Sequence, residues 1–144
     1  MRLLRPCEVT SSIFEIDFGR LYNAGKRAIL FDLDNTLGKR RAKQLQPQVL
    51  ALLRDLKAMG FKVGILTNRR QCNADQVIEH LAWNYPLLHR AGKPGKTGFL
   101  QLLGELDASP HEAVMVGDRL LTDIFGANRL GIYSVRIRNA KGPV

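Results

Sequence analysis

From residue 28 to residue 137, short apolar runs alternate with amphipathic helical stripes, and this rhythm points the chain to an α/β sheet. Strands are predicted over 28–32, 61–67, 112–117 and 132–137, with a weaker one near 86–89. Between the first two, Val49, Leu50, Leu52, Leu53, Leu56 and Met59 form a helical stripe over 47–59 that Gly60 closes. Further helices are predicted over 72–83, over 96–106 and over 120–129, the last stopping before Gly131. Helices between successive strands imply parallel strands and a sheet covered on both faces. The expected architecture is a three-layer, Rossmann-like domain with a mostly parallel five-stranded sheet, spanning residues 1–144 without linker or repeat. Residues 1–27 read as an arm packed on that domain. Within it Ser12-Ile13-Phe14-Glu15-Ile16-Asp17-Phe18 alternates like an extended segment, and Leu21 and Tyr22 start a helical turn before Gly25.

A hydrophobic share of 45% in 144 residues supplies one real core. No apolar run approaches the roughly 20 residues of a membrane span. Met1-Arg2-Leu3-Leu4-Arg5-Pro6 has no apolar signal-peptide region behind it, so cytoplasmic residence is expected. Cys7 and Cys72 form no CxxC pair and read as ordinary thiols. The charge is distinctive: 22 bases against 13 acids give +9. Between Asp34 and Asp55 there is no acid but Lys39, Arg40, Arg41, Lys43 and Arg54; after Asp123 only Arg129, Arg136, Arg138 and Lys141 carry charge. Such a field favours polyanions, either nucleic acid or an anionic lipid surface, or else serves solubility alone.

Four short signals occur in order, three of them beside a predicted strand end. Asp32 and Asp34 follow the apolar run Ala28-Ile29-Leu30-Phe31, at the strand edge where open α/β sheets bind ligands. Acids so close repel each other, which suits a site shared with a cation or a phosphate; the plain alternative is a helix cap or Asx-turn. Thr67-Asn68 closes Val63-Gly64-Ile65-Leu66, where a hydroxyl and backbone amides hold phosphoryl oxygens or cap a helix. Gly92-Lys93-Pro94-Gly95-Lys96-Thr97 ends like a P-loop, but the first glycine of GxxxxGK[ST] falls on Arg90. Lys93 reads better as a fixed cation between carboxylates and a bound phosphate. Finally Val114-Met115-Val116-Gly117 runs into Asp118, whose carboxylate suits Mg²⁺; Asp123, five residues on, completes that shell or caps the helix.

Together these signals resemble the haloacid dehalogenase (HAD) superfamily over about residues 28–137, with four motifs in family order on the expected elements. The resemblance implies an HAD-like fold and phosphoryl transfer, with Asp32 attacking phosphorus to form an aspartyl phosphate. It makes Asp34 the acid that protonates the leaving oxygen and later the base that activates water. Thr67 and Lys93 would position and neutralise the phosphoryl group. Asp32, Asp118 and the backbone carbonyl of Asp34 would hold Mg²⁺, with Asp123 in support. The gaps 38–46 and 84–92 are too short for a folded cap, so an open site is expected, one that an oligomer could cover.

The arm, Asp34-Asn35-Thr36-Leu37, Gly92-Lys93-Pro94 and the run Gly117 to Ile124 with Asn128-Arg129-Leu130-Gly131 look like the YqeG-type, subfamily IIIA phosphatases. These are similar to phosphatidylglycerophosphate phosphatases, which implies a phosphorylated lipid headgroup as substrate. Thr67-Asn68-Arg69-Arg70 and Gly92 depart from that pattern, and Asn68 and Arg69 are expected to contact substrate. Lys39 and Arg40, directly after the first motif, are expected at the mouth of the site against anionic headgroups, with the protein peripheral on a membrane. Two rivals stand beside this reading: a capless phosphatase of sugar phosphates or nucleic-acid ends, and a basic binding module without catalysis. A cysteine-phosphatase loop fails because Ile13 and Ile78 stand where Cys-x5-Arg needs arginine, and His80, His89 and His111 form no metal motif.

Overall fold

The computed structural model describes residues 2–70 and 76–138. In chain order the elements are β1 (Glu8–Thr10), α1 (Phe18–Asn23), β2 (Ala28–Phe31), α2 (Pro47–Met59), β3 (Lys62–Leu66), α3 (Gln76–Asn84), β4 (Leu87–Leu88), α4 (Lys96–Glu105), β5 (Ala113–Gly117), α5 (Phe125–Arg129) and β6 (Tyr133–Ile137). The six strands form one parallel sheet in the order β1-β6-β5-β2-β3-β4. The sheet has six strands where the sequence predicts five, because Glu8–Thr10 adds an edge strand against β6. Residues 71–75, including Cys72 and the predicted start of α3, lie outside the described residues, as does Lys141.

The central strand β2 is buried at all its positions, and alternation splits it between two cores. Ile29 and Phe31 face Leu53 and Leu56 of α2 and Leu81 of α3, while Ala28 and Leu30 face Phe99 and Leu102 of α4. This double burial is why the strand reads as a continuous apolar run. Helix α2 keeps its predicted bounds because Pro47 fits the first helical turn and Gly60, at φ 109°, caps the end in a left-handed conformation.

The arm departs from the extended form predicted over residues 12–18. Ser12 accepts the Phe14 N–H and caps a 3₁₀ turn at Ile13–Glu15; Asp17 accepts the Arg20 N–H and caps α1. These local side-chain bonds compete with strand formation. The buried Ile13, Ile16, Phe18 and Leu21 then pin the arm on the α2 side of the sheet. The predicted helix over 120–129 is interrupted, since Leu120–Ile124 forms a π-helical turn ahead of α5. Among the described residues no subdomain is inserted between the elements, and no helix is long and apolar enough to cross a membrane.

Candidate active site

The connection order reverses between β2 and β5, the switch point at which doubly wound sheets open a crevice beyond the strand ends. Asp32 follows β2 and extends its ladder, its N–H donating to the Val116 carbonyl at 2.9 Å. Asp118 follows β5, and Asp123 returns from the π-helical turn. Carboxylate oxygens of Asp32, Asp118 and Asp123 lie within 4.8 Å of one another.

Lys93 enters this acidic cluster from the loop before α4, its side chain only 2% exposed. Its Nζ donates to Asp32 Oδ1 (2.8 Å), Asp123 Oδ1 (2.5 Å) and the Leu66 carbonyl (2.9 Å). Burial opposes the ammonium charge, but Asp32 and Asp123 outweigh it and hold the lysine pKa above its usual value. Burial likewise pushes the acids up. Asp32 stays raised although Lys93 opposes the shift, Asp118 is raised by burial and by Asp123, and Asp123 reaches about 6.

One lysine cannot satisfy three carboxylates. Asp118 Oδ1 is buried and has no hydrogen-bond donor among the described residues, an orphan that a native structure tolerates poorly. A hard divalent cation fits this deficit, because it takes carboxylate oxygens directly and offsets their repulsion. Of the two roles weighed for Asp123, the capping one is seen, since Oδ2 accepts the Arg119 N–H (3.2 Å), while Oδ1 accepts from Lys93.

The remaining predicted residues take up distinct places. Thr67 is buried at the end of β3, and its hydroxyl accepts the Arg69 N–H at 3.0 Å. Asn68 clamps the backbone of Lys93, donating to its carbonyl (3.0 Å) and accepting its N–H (2.8 Å). The sequence reading gave Asn68 to the substrate; in the fold this amide is spent on locating the lysine. Asp34 is not part of the acidic cluster and meets Arg69 through a two-pronged ion pair. Burial pushes the Asp34 pKa up, but the Arg69 hydrogen bond, the Arg41 N–H and the charges of Arg69 and Arg40 pull it below its usual value. Lys39 and Arg40 are exposed on a loop that folds back on Asp34 through Asn35 N–H to the Gly38 carbonyl and Arg41 N–H to Asp34 Oδ1.

Gly117 is a functional position that sequence reasoning passed over, although it directly precedes Asp118. A Cβ there would sit 2.3 Å from Asp123 Oδ2, and that carboxylate is fully buried and pinned by Lys93 and Arg119. Gly117→Ala is expected to cost about 1–3 kcal/mol and to weaken any stabilisation by an added divalent cation such as Mg²⁺. Thermal melts with and without the ion check this, and an unchanged pair of melting temperatures would show that Asp123 is not fixed.

The fold and the site define a hydrolase whose strand ends gather buried acids around a fixed lysine. The family model for haloacid dehalogenase-like hydrolases matches residues 39–131, and this chain belongs to that family, alongside its phosphatases. The probable phosphatase YqeG of Bacillus subtilis is 29% identical over 132 residues, covering 92% of this chain and 76% of YqeG. The chloroplastic phosphatidylglycerophosphate phosphatase 1 of Chlamydomonas reinhardtii is 29% identical, and the glyceraldehyde 3-phosphate phosphatase of Methanopyrus kandleri 37%. Those matches cover 94% and 66% of this chain but only 53% and 44% of the relatives. Among solved structures, an HAD phosphatase from Thermococcus onnurineus shares the fold with a TM-score of 0.66 at 21% identity, covering 79% of this chain and 87% of that one.

Proposed function

We propose that this protein is a Mg²⁺-dependent phosphomonoester hydrolase that works through an aspartyl phosphate on Asp32. The observation that carries the reading is the buried Asp32–Lys93–Asp123 group beside the orphaned Asp118 Oδ1, at the C-terminal edge of β2 and β5. Asp32, Asp118 and the Asp34 carbonyl would hold the ion, with Asp123 in support, and when bound it would neutralise charge on the phosphoryl group. Asp32 attacks phosphorus in line with the leaving oxygen. Lys93 fixes the Asp32 carboxylate and balances charge in the buried site. Thr67 accepts from the backbone and keeps its own O–H for a phosphoryl oxygen. Asp34, once it has taken up a proton from solvent, gives that proton to the leaving oxygen and then takes one from the water that frees Asp32.

For the substrate we favour the terminal phosphate of a phospholipid headgroup such as phosphatidylglycerophosphate. The likeness to the chloroplastic enzyme supports this, as does the exposed basic loop from Lys39 to Lys43 beside an uncapped site. That loop would place the protein against an anionic membrane surface.

Phosphate release tests both levels. Aryl phosphate, glyceraldehyde 3-phosphate and phosphatidylglycerophosphate in mixed vesicles are each offered with Mg²⁺ or with EDTA. Mg²⁺-dependent release is expected throughout, with the largest kcat/KM for the lipid. A preference for the triose phosphate would move the assignment to small sugar phosphates, and no Mg²⁺-dependent release from any of them would overturn it. Because protons compete with the cation for Asp123, at about 6, the Mg²⁺ concentration needed for half-maximal rate should rise as pH falls from 7 to 5.

A further inference from the structure

The ion pair between Arg69 and Asp34 blocks the residue assigned to the leaving group. Both Asp34 oxygens are engaged: Oδ1 accepts from the Arg41 N–H at 3.1 Å and from Arg69 Nη2, and Oδ2 accepts from Arg69 Nε at 3.3 Å. A carboxyl group held on both oxygens has none aimed at an incoming ester. The root of Arg69 is fixed, since its N–H donates to Thr67 Oγ1 and its carbonyl accepts the Arg90 N–H, both at 3.0 Å. The pair lies at the rim, with the Asp34 side chain 27% exposed and that of Arg69 13% exposed, so a substrate reaches it.

We propose that Arg69 is a specificity-determining residue that releases Asp34 when the leaving group brings a second anionic group to take Asp34's place. This rests on the phosphatase reading above, in which Asp34 serves the leaving oxygen. A guanidinium paired with that carboxylate therefore stands on the leaving-group side. Exchanging one carboxylate for another anion on the same fork keeps the charge-assisted bonds, whereas a neutral leaving group must break them unaided. The surroundings favour the exchange, because the loop carrying Lys39, Arg40, Arg41 and Lys43 folds over the same carboxylate. The substrate class is thus a phosphomonoester whose alcohol portion carries a further carboxylate, phosphate or phosphodiester.

An arginine that merely anchors an anion lowers KM, but one that also frees Asp34 raises kcat. The test compares three Mg²⁺-supported substrates: glycerol 3-phosphate, 3-phosphoglycerate, and deacylated phosphatidylglycerophosphate. The second adds a carboxylate and the third a phosphodiester, which separates the two sources of the anion. In the wild type, kcat is expected to be at least about tenfold higher for one or both doubly anionic substrates. Arg69→Met, which lifts the block on Asp34 for every substrate, should raise kcat for glycerol 3-phosphate until the three values lie within about twofold of one another, and Arg69→Lys should restore part of the difference. Equal kcat values in the wild type, or a preference that survives in Arg69→Met with its circular dichroism intact, overturns the exchange while the phosphatase reading stands. Absence of hydrolysis of any substrate by the wild type overturns both.

Discussion

Lys93→Met will destabilise the fold by about 3–5 kcal/mol at pH 8, the loss expected when one partner of a buried ion pair is removed. Lys93 Nζ is the contact that Asp32 and Asp123 share, in a site where the lysine is 2% and Asp123 0% exposed. Methionine fills similar space without a charge, so the variant isolates electrostatics from packing. For a domain of this size the melting temperature should fall by about 10 °C.

The pH dependence follows from the same geometry. Asp32 and Asp123 are already raised in the folded protein, and loss of Lys93 raises them further. A carboxyl group with a folded pKa above its unfolded value binds more protons in the native state, so stability falls as pH rises through that window. The deficit of Lys93→Met should therefore be smaller near pH 5, below the Asp123 pKa of about 6, and full by pH 8. Mg²⁺ at pH 8 should recover part of it by binding the native state. Urea melts at both pH values decide the matter. A loss under about 1 kcal/mol at pH 8, within the range of exposed pairs, or a deficit that grows towards pH 5, would show that the lysine does not hold the acids together.

Asp32→Asn should do the reverse, removing catalysis while sparing the fold. The amide has the same shape but no nucleophilic carboxylate, and turnover is expected to drop below about one thousandth of wild type. Lys93 retains Asp123 and the Leu66 carbonyl, and one of three crowded carboxylates is gone, so the melting temperature should not fall. Phosphate release and a trapped phosphoprotein after acid quench are the measurements. Retention of more than about a tenth of the activity, or a phosphoprotein in the variant, would remove Asp32 as the attacking group. The two substitutions thus separate the roles of two groups 2.8 Å apart.

The positions of Asp32, Thr67 and Asp118 were legible in the linear chain for one reason. A parallel strand buried on both faces must be a continuous apolar run, and the first polar residue after it marks the sheet edge. Ala28–Phe31, Lys62–Leu66 and Ala113–Gly117 all end that way. Helix α2 was legible because Pro47 and Gly60 act through their own backbone limits. By contrast β1 has three half-buried or exposed residues and exists through pairing with β6, more than 120 positions away. No local periodicity reports such a strand.

What this sequence determined by itself was therefore the ends of the buried strands, the acids and hydroxyl placed at them and the lysine of the loop before α4, because burial and turn chemistry act over a few neighbouring residues. Tertiary structure alone decided the partnerships. It spent Asn68 on the Lys93 backbone, set Arg69 against Asp34, used Gly117 to admit Asp123, and left Asp118 Oδ1 without a donor. The Asn68 and Arg69 pairs depend on distances between residues 25 and 35 positions apart, and the Asp123 carboxylate beside Gly117 is held there by Lys93, so these distances are fixed only once the sheet and its covering helices have packed.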